Sequence, residues 1–264
     1  MKGKFSILIL ICIFLFSCKK EIELDLRTVE PILVVEAEIG EGSTARVKLT
    51  ATRGFYEPNF FLPVTDATVT LSSSKGETED LINHGDSLFL SRNIEGQANI
   101  IYYLTIIYRN KTYESQSTLF PAVTLDSVVA HSANPKMPPI FVAYWQDPLG
   151  KDIDYYRFRV YVNDSIEVKQ NFSGSADIYD GEYLSSPFII AEVNRINEPI
   201  YKPHDFIRFD MLTIDRETGH YFSFLDNRDK TNPPTNIKGG ALGYFCAYSK
   251  SSQYVEVPEW EMQN

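Results

Sequence analysis

The stretch Asp154-Tyr155-Tyr156-Arg157-Phe158-Arg159-Val160-Tyr161-Val162-Asn163 decides the fold class. Side chains alternate across a strand with a period of two, so Tyr156, Phe158, Val160 and Val162 share one face and Arg157, Arg159 and Tyr161 the other. A helix, with its period of 3.6, would scatter these residues around its circumference. The same alternation recurs in Asp205–Ile214, where Ile207, Phe209 and Met211 oppose Arg208 and Asp210. In Ala45–Ala51, Val47 and Leu49 alternate with Arg46 and Lys48, as expected for a sheet with one wet face.

Short runs of the same kind follow one another on either side. Upstream lie Ile32–Ile39, Ala67–Ser73, Ser87–Ser91, Ile100–Tyr108 and Lys111–Thr118; Arg109-Asn110-Lys111 reads as a hairpin turn and Glu95-Gly96-Gln97 as a further break. Downstream lie Leu125–His131, Ile140–Gln146, Ile166–Phe172, Phe188–Glu192, Ala241–Ser249 and Gln253–Val257. Only Glu217–Asp226, with Tyr221, Phe222 and Leu225 at helical spacing, departs from the strand pattern. Phe120-Pro121-Ala122 reads as a joint. The expectation is an all-β chain of two β-sandwich domains, Ig-like or transthyretin-like, with one short helix in the second. The first would span residues 31–121 and the second 122–264.

The amino terminus is of another kind. Lys2 and Lys4 precede an uncharged run, Phe5–Phe16, apolar apart from Ser6, and the chain turns polar at Cys18-Lys19-Lys20-Glu21. A dozen apolar residues make a helix of about 18 Å, too short for a hydrocarbon core of roughly 30 Å but suited to a signal peptide. Ser17-Cys18 resembles a lipobox, in which cleavage falls before a diacylated cysteine; Phe16 departs from the small or β-branched residue usual there. The expectation is a signal peptide at 1–17, cleavage between Ser17 and Cys18, lipid on Cys18 and a charged spacer over 18–30. An ordinary signal with a chance cysteine and an uncleaved signal anchor are the alternatives. Two or three acyl chains anchor durably where one does not.

Cleavage there removes 17 of 264 residues, leaving 247, and takes Lys2 and Lys4 with it, so the formal charge goes from −10 to −12. An acidic body is a poor match for nucleic acid, which needs clustered Lys and Arg, and for an anionic lipid surface. Of the three cysteines, Cys12 leaves with the signal, Cys18 takes lipid and Cys246 is left without a partner. That excludes an intramolecular disulfide and a Cys-rich zinc site, so the body must rely on its core.

The sequence carries no Gly-x-Ser-x-Gly elbow, no His-Glu-x-x-His and no phosphate loop. His84, His131, His204 and His220 are scattered. Asp147, Asp152 and Asp154 lie near Gly150, and Asp177, Asp180 and Glu182 near Gly181; both runs read as solvated turn acids ahead of a calcium loop. Asp86-Ser87-Leu88, Asp126-Ser127-Val128 and Asp164-Ser165-Ile166 fit a three-residue pattern resembling a bacterial O-glycosylation signal. The candidate contact surface is the loop Thr52–Asp66, carrying Phe55, Tyr56, Phe60 and Phe61 between Pro58 and Pro63. The competing reading is that these rings close an interface between the two domains. No catalytic residues, metal ligands or cofactor are expected.

Several segments together resemble a known family. They are Cys18-Lys19-Lys20-Glu21 through Leu26, Ile32-Leu33-Val34-Val35-Glu36, Pro63-Val64-Thr65-Asp66-Ala67-Thr68-Val69-Thr70, Leu125-Asp126-Ser127-Val128 and Asp154-Tyr155-Tyr156-Arg157. The most specific is Pro233-Pro234-Thr235-Asn236-Ile237-Lys238-Gly239-Gly240-Ala241-Leu242-Gly243-Tyr244-Phe245. The chain is similar over nearly its whole mature length to Bacteroidetes lipoproteins built on the domain of unknown function numbered 4249. The resemblance implies an outer-membrane lipoprotein found with TonB-dependent transporters. The interrupted acidic run Lys20-Glu21-Ile22-Glu23-Leu24-Asp25 is similar to a surface-export signal, which favours the cell surface over the periplasmic face. The expected function is non-catalytic: an accessory of a TonB-dependent nutrient transporter that binds a small molecule, glycan, peptide or partner. The alternative is a structural or adhesive surface protein. Gly239-Gly240 reads as a tight turn before a buried strand, ahead of a ligand loop.

Overall fold

A computed structural model describes residues 30–53, 61–132, 134–150, 155–170, 172–176, 179–193, 198–225 and 232–260. The first half holds β1 (Leu33–Gly40), β2 (Thr44–Ala51), β3 (Leu62–Pro63), β4 (Thr68–Ser73), β5 (Thr78–Asp80), β6 (Ile82–Asn83), β7 (Leu88–Glu95), β8 (Ile100–Tyr108) and β9 (Lys111–Leu119). The second holds β10 (Leu125–His131), β11 (Ile140–Gln146), β12 (Tyr155–Val162), β13 (Ile166–Glu167), β14 (Phe172–Ser175), β15 (Tyr183–Phe188), β16 (Phe206–Ile214), the helix α1 (Arg216–Leu225) and β17 (Leu242–Glu256). The fold is all-β with one short helix among the described residues.

These strands form three sheets. The largest has ten strands, ordered β13-β12-β16-β17-β1-β2-β7-β6, with β14 also on β12 and β3 on β2; the others are β10-β11-β15 and β5-β4-β8-β9. The fifteen-residue β17 makes the large sheet continuous. Its first half pairs in parallel with β1, from Val34↔Leu242 to Gly40↔Tyr248. Its second half pairs antiparallel with β16, from Thr213↔Ser249 to Phe206↔Glu256.

One face of this sheet carries two cores. In the first, Val35, Ala37, Val47 and Leu49 pack with Phe245 and Ala247 against Leu71, Leu104 and Ile106 of the four-stranded sheet. In the second, Tyr156, Phe158, Val160, Val162, Ile207, Phe209 and Met211 pack against Leu125, Phe141, Trp145 and Phe188 of the three-stranded sheet. The alternation read from the sequence therefore holds at both strands. The second core is knit by rings, with Phe158–Phe188 centroids 4.7 Å apart and Trp145–Tyr156 5.4 Å apart. Fully burying each such side chain is worth about 1.5–3 kcal/mol. The chain leaves the first core after Leu119 and comes back to it at Ile237, Ala241, Phe245 and Ala247.

Between the cores the same face turns polar on β16 and β17, and those side chains hold the crossing chain. Thr213 Oγ1 accepts from Val123 N at 3.1 Å, Ser251 Oγ from Leu125 N at 2.9 Å, and Gln253 Nε2 donates to Leu125 O at 3.0 Å. The polar run Lys250-Ser251-Ser252, which separates two expected strands in the sequence, thus lies inside one continuous strand. Two further expectations shift. The run Ile166–Phe172 divides into β13 and β14, since Lys169 N turns aside to Glu192 Oε2 at 2.7 Å. The strand expected at Phe188–Glu192 lies earlier, over Tyr183–Phe188, hidden in the sequence by Ser185, Ser186 and Pro187. Helix α1 covers the other face of the sheet, where Phe222 meets Tyr155, Leu212, Ile214 and Cys246.

The segment 236–243 latches the two ends of the chain. Lys238 N donates to Glu114 O at 2.7 Å, which covers the outer edge of β9. Asn236 completes a strand-like pair with its side chain, Nδ2 donating to Phe245 O at 2.7 Å and Oδ1 accepting from Phe245 N at 3.0 Å. Gly239 (φ 96°) runs so close to β9 that a Cβ would lie 2.6 Å from Thr112 O. Gly243 (φ 99°) is tighter still, its Cβ position 1.9 Å from Val35 O. The tight-turn reading of this motif is what the backbone shows. Gly243→Ala should therefore force β17 off β1 and lower the unfolding free energy by about 3 kcal/mol or more. Chemical denaturation measures this directly; an unchanged midpoint would mean that the β1–β17 seam does not hold the fold.

Candidate functional site

The cavity of greatest chemical interest lies where the second pair of sheets fails to close. β14 pairs with β12 alone, and β15 is the edge of its sheet. Both contain runs of small residues, Ser173-Gly174-Ser175 and Ser185-Ser186, which leave space between them. Pro187, lacking an N–H, suits an edge strand. The result is a slot of about 310 Å³, at the lower end of the range for ligand pockets. Its floor is Trp145, Tyr156, Phe158, Phe172 and Phe188; Ser173, Gly174, Ser175, Ser185, Ser186 and Pro187 line its sides.

Chain flanks the slot toward both ends. At one end Tyr179 N donates to Ala176 O at 2.6 Å and Glu182 N to Tyr179 O at 2.8 Å. Asp147, buried beneath this turn, accepts from Tyr156 Oη at 2.6 Å and Gly181 N at 3.1 Å. At the other end Gln170 bridges to the chain after β15, donating to Ile189 O at 3.3 Å and accepting from Ala191 N at 2.8 Å. Two lining residues carry a buried polar atom without a hydrogen-bond partner, Trp145 Nε1 and Ser173 Oγ; Ser173 pairs with Arg157, so its hydroxyl lies on the helix-bearing face, away from the floor. An unanswered buried donor or acceptor costs about 1–3 kcal/mol, so such groups mark places where a partner belongs.

A larger cavity, about 540 Å³, runs beside β9 and is lined in part by Glu114, Gln116, Asp215, Glu217, Asn236 and Lys238. Its buried groups answer one another. Asp215 caps α1, accepting from Thr218 N at 2.9 Å and Thr218 Oγ1 at 2.6 Å, and takes a further bond from Ser117 Oγ. Ser117 Oγ in turn accepts from Ala247 N at 2.7 Å. Burial pushes the Asp215 carboxyl up, more than the bonds from Ser117 and Thr218 lower it. Burial likewise holds the Cys246 thiol well above its ordinary range, so it is protonated and inert. This constellation is a structural joint between β9, α1 and β17.

A charged cluster crosses the helix-bearing face of the large sheet. Glu38 Oε1 lies 2.5 Å from Arg159 Nη2, 3.5 Å from Arg157 Nη1 and 3.0 Å from Tyr244 Oη. Arg157 stacks 3.8 Å over the Phe222 ring and Arg159 5.2 Å over Tyr248. Burial raises the Glu38 carboxyl, but Arg159, Arg157 and the Tyr244 hydroxyl outweigh it and hold it below the usual range. The arginines are spent on Glu38 and on rings, which makes the cluster a strut between β12, β17 and β1.

Residues 19–254 match the family described as domain of unknown function (DUF4249). The chain belongs to this family. No curated protein matches its sequence.

In this DUF4249 protein the expected site residues fall mostly outside the described region. Ser17, Cys18, Phe55, Tyr56 and Phe60 lie there. Phe61 is described, 65 % exposed, and leads into β3, which pairs with the end of β2; it does not line the β14–β15 slot. Of the acidic loops, Asp152, Asp154 and Asp177 lie outside the described residues. Asp147 is engaged as above, and Asp180 Oδ1 accepts from Gly150 N at 2.7 Å. No group of three His, Cys, Asp or Glu able to hold a metal occurs among the described residues. His220 meets Tyr155 Oη at 3.2 Å, while His204 sits between Glu256 and Glu259. Ser87 of the first Asp-Ser-aliphatic triplet is buried, its hydroxyl donating to Asp86 O at 2.5 Å. The slot itself was not singled out from the sequence. Its signal is the pair of serine-rich edge segments, which match no strand pattern.

The strut carries a pH signature. The folded protein binds a proton at Glu38 less readily than the unfolded chain, whose glutamate titrates near 4.5. Its stabilisation is complete above that value and is lost as pH falls through the lower folded value. Glu38→Gln should cost about 1–2 kcal/mol near neutrality, discounted because the pair is partly exposed. That deficit should shrink below about pH 4.5. Denaturation curves of both proteins at pH 7 and pH 3.5 would show it, and a deficit that persists undiminished in acid would assign the loss to packing instead.

Proposed function

We propose that this DUF4249 protein is a lipid-anchored, non-catalytic binding protein of the outer membrane. On this reading two sandwich-like units share one long sheet, and the second presents the β14–β15 slot to a ligand. The observation that carries the reading is that slot: an uncharged, aromatic-floored cavity between the edge strands β14 and β15, with the buried indole N–H of Trp145 unpartnered beside it. The anchor reading rests on the amino terminus, where the family match begins at Lys19, next to Cys18. A Bacteroidetes origin, display on the cell surface and work beside a TonB-dependent transporter extend the same proposal. A tethered receptor raises the ligand's local concentration near a pore without chemistry of its own.

One observation favours a second reading, adhesion. The outer face of the three-stranded sheet exposes Val129, Ile140, Tyr183 and Ile189, with Tyr144 and Tyr183 stacked 6.4 Å apart. Contiguous exposed apolar groups of this sort mark contact surfaces.

Affinity purification of the tagged protein from its native membrane, with protease shaving of intact cells, separates these. A co-purifying β-barrel transporter and a shaved body are the expected results. A shaved body with no transporter, but with loss of cell–matrix attachment on deletion, would replace the transport reading with the adhesive one. Cys18→Ala should leave the chain without acyl mass and lower its membrane retention; an intact mass below wild type's by only the sulfur atom lost in the substitution would end the lipoprotein reading.

A further inference from the structure

We propose that His204 is a pH-sensitive clip that fastens the segment after β17, residues 257–260, over one end of the second core. The inference stands apart from the proposed binding function. The segment is tied down in two ways. Its backbone is bonded once in each direction to the turn before β16, Val257 N donating to Asp205 O and His204 N to Val257 O, both at 2.9 Å. Its side chains enter the core: Val257 is buried, and Trp260 packs on Tyr201 with ring centroids 5.5 Å apart. Tyr201 in turn meets Phe141 edge-on at 5.8 Å. The Tyr201 hydroxyl is buried without a partner, so this corner is less costly to open than a fully satisfied core.

His204 grips the segment from outside. Its Nδ1 lies 2.9 Å from Glu256 Oε1 and its Nε2 2.9 Å from Glu259 Oε1. Ionised carboxylates only accept, and a neutral imidazole has one N–H, so both bonds form together only on the imidazolium. Loss of that proton leaves one ring lone pair facing a carboxylate. The other charged groups nearby have partners of their own or face solvent. Asp205 accepts from Lys202 N and from Asn163 Nδ2, both at 2.9 Å, and the Lys202 side chain is exposed. Asp164, on the turn that carries Asn163, is bonded to Arg208. The hydrogen bonds to Glu256 and Glu259 hold the His204 imidazole above its ordinary value near 6.5. The clip is therefore fully closed below pH 6.5 and is lost as pH rises through the higher folded value.

Hydrogen exchange of the Val257 amide in the full-length protein tests this, read by fragment-resolved mass spectrometry at pH 6 and pH 9. The variant is His204→Asn, because asparagine tolerates the positive φ of 69° at this position. The ratio of variant to wild-type rates at each pH cancels the intrinsic pH dependence of exchange. It also cancels the titration of His84, His131 and His220, which both proteins retain. The expected ratio is about two- to fivefold at pH 6, the effect of an exposed ion pair, and close to one at pH 9. Glu259→Ala removes the partner on the segment and leaves Trp260 in place, so it should reproduce the faster exchange at pH 6. A ratio above one that is the same at both pH values would overturn the clip and leave His204 a packing role alone. A ratio of one throughout, or a Glu259→Ala protein that exchanges at the wild-type rate at pH 6, would overturn it as well.

Discussion

The parallel seam between the first strand and the last is the constraint on which the rest of this structure depends. β17 alone belongs to both cores: Phe245 and Ala247 enter the first, and its second half borders the strand that carries Phe209 and Met211 into the second. No disulfide is available to hold the ends, since Cys246 is buried and free. The work falls to backbone pairing, to Asn236 acting as a piece of strand, and to a glycine whose missing Cβ lets Val35 approach. Glu38 adds a polar tie across the same seam, reaching Arg159 of β12 and Tyr244 of β17. The first strand is thereby fastened to the second unit as well as to its own.

Much of this was legible in the sequence where the period-two pattern was strong. Ile100–Tyr108, Leu125–His131 and Ile140–Gln146 have the bounds read from the residues, and the apolar faces of β12 and β16 are the ones the alternation assigns. The helix begins one residue early because Asp215 caps it. What failed to show was of two kinds. Lys250-Ser251-Ser252 looked like a break because a strand interior is expected to be apolar on one face, yet here that face must hold the crossing backbone at Val123 and Leu125. Pairing between residues two hundred positions apart leaves no local trace at all, so the return of 237–247 to the first core could not be read.

The candidate site was illegible for a related reason. Ser173, Gly174, Ser185, Ser186 and Pro187 are weak strand formers, and a reading based on propensity treats them as loop. Their weakness is what leaves the two sheets apart and the aromatic floor open. The conspicuous features led elsewhere. The segment 236–243 is a latch, and the most prominent charges are struts. Motifs of this sort report how the fold is closed, while the place where a ligand would sit is written in residues that look unremarkable one at a time.

The seam has a consequence for how such a chain is made. Tyr244 reaches Glu38 across 206 positions, so contact order is high and collapse of the amino-terminal half cannot be completed by its own residues. Synthesis proceeds from the amino terminus, and β1 waits with one edge unpaired until residues 242–248 have been made. Any chain that ends early therefore exposes both that edge and the flank of β9, the two surfaces most prone to stick to other strands. The fold thus hides these two edges only once the segment 236–248 is in place.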